Sequence, residues 1–246
     1  MKKTKIDRSI DTEALGFQVR ESYKTARTNI AYSIFKKGCK KVAFTSSTKG
    51  EGKTVTSINV ASALAQQVGT KVIVVECDLR RPRVNTALKI TPTPGLTNYL
   101  NEECSLEDIV KDTKIENLKA ITYGAIPPNP SELLSSERTD KLLAFVKQHY
   151  DCVFIDTPPV NLVTDPTAFA TKSTGYIMIV KAGISDTQST KKAVDSLTSL
   201  GANIVGFVLN DATESNGMKY YSYGKYRGYR YKSKYGYNYN YHYNYR

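Results

Sequence analysis

The chain has no tryptophan and two histidines, His149 and His242, so a multi-histidine metal centre is excluded. No apolar run approaches the roughly 18 residues that cross a bilayer as a helix. The opening MKKTKIDRS is basic, but no apolar segment follows, so it does not read as a secretory signal. The four cysteines, Cys39, Cys77, Cys104 and Cys152, form no C-x-x-C pair. Cys77 and Cys152 lie in apolar runs and read as small core residues of a reducing compartment. Acid is missing from one end only. Residues 216–246 hold seven Lys/Arg and no Asp or Glu, whereas residues 1–215 hold 28 and 23, so more than half of the +12 net charge sits in the last 31 residues.

With 246 residues, 40% of them hydrophobic, the chain can build one α/β domain with a sizeable core. Its most informative stretch is residues 42–54, VAFTSSTKGEGKT. An apolar β-type run enters a small polar loop, which closes on Gly52-Lys53-Thr54 ahead of a helical pattern. This is the strand–loop–helix setting of a phosphate-binding loop. Glycine lets the backbone approach an anion and turn its N–H groups inward, while the following helix offers its positive dipole end. Thr48, Lys49, Gly50, Glu51, Gly52, Lys53, Thr54 and Val55 are the nucleotide-binding candidates. Lys53 has the reach for β/γ-phosphates, and the Thr54 hydroxyl suits Mg²⁺. The pattern G-x-x-x-x-G-K-[ST] is broken at its first position, where Ser47 replaces glycine.

Residues 12–36 carry apolar side chains three and four apart and predict a helix stopped by Gly38. Glu21, Lys24 and Arg27 share one of its faces, either as solvated internal ion pairs or as a subunit contact. Strand 41–46 and helix 54–68 follow, the helix burying Ile58, Ala61, Leu64, Ala65 and Val68 and ending at Gly69. The run Lys71–Asp78 is a strand buried on both faces and closed by Glu76 and Asp78. Such acids fall where open α/β sheets bind ligands. Arg80, Arg81 and Arg83 come next, able to clamp anionic oxygens.

Residues 91–114 read as loop and short helices, and 118–122 as a strand. The proline-crowded stretch 124–130 is irregular, and Ser131 or Ser136 caps a helix reaching about His149. Cys152–Asp156 is a further buried strand with an acid at its end, a site for a Mg²⁺–water network. A short helix at 164–172, a strand at 175–181, a helix at 186–200 and a strand at 203–209 complete a doubly wound, mostly parallel sheet of P-loop type.

The last 27 residues contain twelve tyrosines: Tyr220, Tyr221, Tyr223, Tyr226, Tyr229, Tyr231, Tyr235, Tyr237, Tyr239, Tyr241, Tyr243 and Tyr245. With almost no aliphatic partner surface and charge of one sign, this tail reads as disordered. It could stack on single-stranded nucleic acid, act as an interaction arm, or present its hydroxyls for phosphorylation.

Taken together, these motifs resemble the bacterial tyrosine kinases of capsule and exopolysaccharide biosynthesis, in their free cytoplasmic form. The resemblance rests on the loop Ser47–Thr54, on Val74–Arg81 as the second acidic motif, and on Phe154–Pro159 as the third. It rests also on Ile126–Leu134, on the helix around Glu21 and on the tyrosine cluster. It implies ATP with Mg²⁺ held by Thr54, Asp78 and Asp156, and Lys53 as the charge stabiliser. Glu76 or Asp78 is then the base, and Arg80 or Arg81 orients phosphate or an acidic neighbour. It also implies adenine contact by Asn210, and autophosphorylation of the tail between subunits of a ring built through Glu21, Lys24 and Arg27. A transmembrane activator supplied in trans would recruit the chain to the membrane's inner face, and a tyrosine phosphatase would reset it; no specific nucleic acid is implied. Two positions depart from the family pattern: Lys24 replaces arginine, and Glu76 replaces the first aspartate of Asp-x-Asp.

The rival reading is a partition or positioning ATPase of the same fold, its tail binding DNA or membrane. Those proteins carry a lysine five residues before the loop lysine, where this chain has Thr48. A third reading is a nucleotide-gated scaffold for polysaccharide assembly.

Overall fold

The computed structural model describes residues 16–34 and 38–212. The tyrosine-rich tail, read above as disordered, and the first turn of the helix expected from residue 12 lie outside the described residues. The described residues form one compact unit. Seven strands make its sheet: β1 (Lys40–Ser46), β2 (Val72–Glu76), β3 (Val110–Asp112), β4 (Leu118–Ile121), β5 (Cys152–Asp156), β6 (Gly175–Lys181) and β7 (Ile204–Asn210). Their order is β3-β4-β2-β5-β1-β6-β7, with only the β3–β4 pair antiparallel. The central strands β2 and β5 are buried along their whole length because helices cover both faces of the sheet there, whereas edge strand β7 leaves Phe207 and Leu209 exposed.

Side-chain alternation along the strands divides the core. Val42 and Phe44 of β1 face a cluster with Ile30 and Ile34 at α1 (Phe17–Ser33), Ile58 and Ala61 of α2 (Lys53–Ala65), and Val84 and Leu88 of α3 (Val84–Leu88). Ala43 faces the other cluster. Its helical walls are α4 (Leu96–Leu100), α6 (Pro130–Ser135), α7 (Glu137–His149) and α8 (Thr187–Thr198), and α5 (Leu106–Ile109) contributes Ile109. Cys77 and Cys152 are buried free thiols, as their apolar surroundings suggested. No helix among the described residues is long and apolar enough to cross a membrane.

The expected elements are present, with four corrections. The helix after the loop stops at Ala65, so Val68 lies in the turn before Gly69 (φ +74°) and is fully exposed rather than part of the core face. Helical spacing loses its meaning once the helix has ended. The single helix expected up to His149 is broken at Ser136, whose extended backbone separates α6 from α7. The Ser136 and Thr139 hydroxyls both donate to the Leu133 carbonyl, satisfying the end of α6. Residues 110–112, read as loop, pair as the antiparallel edge strand β3. Finally, residues 164–172 form only a 3₁₀ turn, Asp165–Phe169.

Candidate nucleotide and phosphoryl-transfer site

Parallel pairing aligns the carboxyl ends of the central strands. Glu76 of β2 stands beside Asp156 of β5, and Phe44 of β1 beside the same aspartate. The loop after β1 therefore opens over two strand-end carboxylates at the point where the sheet's winding reverses, the usual ligand crevice of such folds. Gly52 takes the left-handed conformation (φ +94°) as the residue preceding α2. Gly50 also has positive φ (+84°), with nothing near the place of a Cβ. Both conformations favour glycine. Lys53 opens α2 and is largely buried, while Lys49, Gly50 and Val55 are exposed around the loop's mouth.

Three carboxylates behave differently. Asp156 is wholly buried and accepts the Thr54 hydroxyl at 2.6 Å through Oδ2. Its Oδ1 is buried and has no partner among the described residues. Burial raises its pKa to about 7, against the lowering effects of the Thr54 bond and the Lys53 charge. Glu76 is also fully buried. Its Oε1 accepts the backbone N–H groups of Arg83 and Val84, the latter at 2.6 Å, and its Oε2 accepts that of Tyr123 at 3.3 Å. Burial raises Glu76 to about 8, with the Asp156 charge adding to the rise. Glu76 thus holds the start of α3 and the end of β4. Asp78 sits just past β2, is 8% exposed, and accepts the Arg81 N–H at 3.0 Å through Oδ1.

The residues present fit a Mg²⁺ ion. A hydroxyl, an orphaned buried carboxylate oxygen and a second carboxylate are the hard oxygen donors this ion takes, with water completing its shell. No group of three or more His, Cys, Asp or Glu side chains forms a metal cage among the described residues.

Arg80 makes a bidentate pair with buried Asp165, Nε to Oδ2 at 2.8 Å and Nη2 to Oδ1 at 3.1 Å. The Ser131 hydroxyl donates to the same Oδ1. Arg80 therefore takes an acidic neighbour, while Arg81 and Arg83 are exposed. Sequence reasoning missed Asp165; its only signal was Asp-Pro at the start of a turn. It also missed Ser185, whose hydroxyl donates to Glu51 across the loop. Glu51 is fully buried and accepts the Ser47 hydroxyl (3.0 Å) and the Thr48 N–H (2.7 Å). Ser47, the departure from glycine, thus has a partner. The Thr48 N–H is engaged within the protein, which leaves residues 49–54 to face phosphate. Asn210, at the end of β7, donates to the Glu51 carbonyl at 3.0 Å.

On α1, Lys24 and Glu21 form an exposed pair at 2.8 Å. Arg27 leaves them and donates to the Ala63 carbonyl of α2 at 3.1 Å.

A family model described as "AAA domain" matches residues 39–193. Tyrosine-protein kinase YwqD of Bacillus subtilis (strain 168) is 36% identical over 204 residues, covering 83% of this chain and 86% of that protein. The crystal structure of the chimerical protein CapA2B2 superposes with a TM-score of 0.77 at 31% identity, covering 84% of this chain and 90% of its own. The septum site-determining protein MinD of Pyrococcus horikoshii, solved with Mg-ADP, superposes less well, with a TM-score of 0.61 at 25% identity and 72% coverage of each chain. The positioning ATPase thus shares the sheet, but the kinase likeness is closer and runs through nearly all of the described domain. The chain accordingly belongs to the bacterial tyrosine-protein kinases of P-loop fold.

Proposed function

We propose that this kinase transfers the γ-phosphoryl group of ATP to tyrosines of its own C-terminal cluster, largely between neighbouring copies, and thereby regulates capsular or exopolysaccharide synthesis and export. The observation that carries the reading is the division of labour among the strand-end carboxylates beside a phosphate loop, in a chain ending in twelve tyrosines among 27 residues.

Backbone N–H groups of residues 49–54 and the Lys53 ammonium bind the phosphates. They stabilise charge on oxygens that gain it during transfer. Thr54 and Asp156 would hold Mg²⁺, with Asp78 reaching it through water, and the ion would supply charge neutralisation on the phosphate oxygens when bound. Glu76 has both oxygens on backbone donors inside the core, so proton acceptance falls to Asp78. Asp78 keeps Oδ2 outside protein hydrogen bonds among the described residues, close to solvent. It takes the tyrosine proton as the bond to phosphorus forms, because a tyrosine with a reference pKa of about 10 is neutral beforehand. Arg81 is left to orient phosphate oxygens, since Arg80 is tied to Asp165.

The family resemblance supports three partners: further copies in a ring, a transmembrane activator that recruits the chain to the inner membrane face, and a tyrosine phosphatase.

Single-turnover phosphotyrosine formation in Asp78→Asn and Glu76→Gln tests the assignment. Asp78→Asn is expected to slow transfer by about 10²-fold or more while nucleotide still binds. Glu76→Gln is expected to lower the melting temperature, its folded fraction still transferring phosphate. An equal loss of rate in Glu76→Gln at unchanged melting temperature would make Glu76 the base.

A further inference from the structure

The Asn210 carboxamide is engaged at both of its atoms. Nδ2 donates to the Glu51 carbonyl at 3.0 Å, and Oδ1 accepts the Asp211 N–H at 3.1 Å. A carbonyl demands a donor and an N–H demands an acceptor, so the two partners together fix which way the amide points. The approach to the loop is close: a Cβ on Gly52 would stand 2.0 Å from the Asn210 nitrogen. The Glu51 carbonyl and the Gly52 N–H belong to one trans peptide and point in opposite directions. Holding that carbonyl toward β7 turns the Gly52 N–H away from it. From the other side, the Glu51 carboxylate is gripped by Ser47, Thr48 and Ser185. Residue 51 is thereby fixed through main chain and side chain at once, from the end of β7 and from the loop between β6 and α8.

We propose that Asn210 is a positioning residue for the phosphate cradle. It sets the Glu51–Gly52 peptide so that the Gly52 N–H is presented to the anion before nucleotide arrives, and it acts on the triphosphate rather than on the base. The inference rests on residues 49–54 binding phosphate as proposed above. A donor fixed in advance spends none of the binding free energy on ordering the loop. The same contact accounts for glycine at position 52 beyond its backbone angle, because a side chain there would displace Asn210.

Titration calorimetry with Mg·ATP and with Mg·tripolyphosphate, which has no base, separates the roles. Asn210→Ala is expected to weaken both ligands by a similar factor of about tenfold, the scale of one hydrogen bond. Asn210→Asp, which sets a carboxylate against the Glu51 carbonyl, is expected to weaken both further. Melting of each ligand-free variant shows that it is folded, and Asn210→Ser gives the same comparison if alanine unfolds the edge strand. Loss of ATP affinity with tripolyphosphate unchanged would overturn the proposal and make Asn210 a reader of adenine. A wild type that binds ATP but not tripolyphosphate would place the affinity on the base and overturn it equally. A wild type that binds neither at millimolar ligand would refute the phosphate-loop reading itself, and this inference with it.

Discussion

Asp156 has one oxygen on the Thr54 hydroxyl and the other buried without a partner among the described residues, and burial raises its pKa to about 7. An unfolded aspartate titrates near 3.9. Between the two values the native state keeps a proton that the unfolded chain has released, so this group's contribution to stability falls as pH rises from about 4 to about 7. Glu76, raised to about 8, extends the fall. We therefore expect Asp156→Asn to be more stable relative to the ligand-free wild type at pH 8 than at pH 5. Paired denaturant titrations at the two pH values measure this, and a pH-independent difference would contradict it. Magnesium competes with the same proton, so Mg²⁺ should raise the wild type's melting temperature more at pH 8 than at pH 6. At this scale the sequence disclosed residue identities better than their tasks. Glu76 and Asp78 read as equals at a strand end. The difference between them lies in Arg83, Val84 and Tyr123, whose backbone donors reach Glu76 only after the chain has folded.

Helix α1 distinguishes a surface ion pair from a packing contact. The Lys24–Glu21 pair is half exposed, and such pairs contribute about 0.5 kcal/mol or less. Arg27 is half-buried, bonds a carbonyl of α2, and has a buried Nε without a partner among the described residues. Arg27→Ala should cost about 1.5 kcal/mol in denaturant titrations and Glu21→Ala about 0.5 kcal/mol or less; comparable losses would contradict this account of the helix. The strands were legible as elements because runs such as Val72–Glu76 and Cys152–Asp156 are apolar up to a terminal acid and bounded by turn residues. β3 was not, since Val110-Lys111-Asp112 is short, half-polar and defined only by pairing with β4. The break between α6 and α7 was hidden for a related reason. No glycine or proline marks Ser136, and what ends α6 there is side-chain hydroxyls closing on the Leu133 carbonyl.

At the scale of the whole molecule, residues 216–246 carry seven positive charges and no acid. Each phosphotyrosine adds about −1.5 to −2 charges, so four or five events reverse the sign of the tail. Under the proposed autophosphorylation, a tail drawn to acidic surfaces would come to be repelled by them, and assembly between copies should weaken as phosphorylation proceeds. Light scattering on unphosphorylated and phosphorylated chains checks this, and an unchanged mass would contradict it. The domain itself was readable at this scale from a phosphate loop and two acid-ended strands in βα alternation. The ties of Arg80 to Asp165 and of Glu51 to Ser185 were not, because they join residues 85 and 134 positions apart with no local pattern between them.

The most direct test of the central claim is intact-protein mass after incubation with Mg·ATP, for the wild type and Lys53→Met, each with and without the cytoplasmic segment of a candidate activator. Successive phosphate additions mapped to Tyr220–Tyr245, present in the wild type and absent from the variant, are the predicted result. No addition to the wild type, even with the activator segment present, would contradict the kinase account and leave the loop as the switch of a nucleotide-binding ATPase.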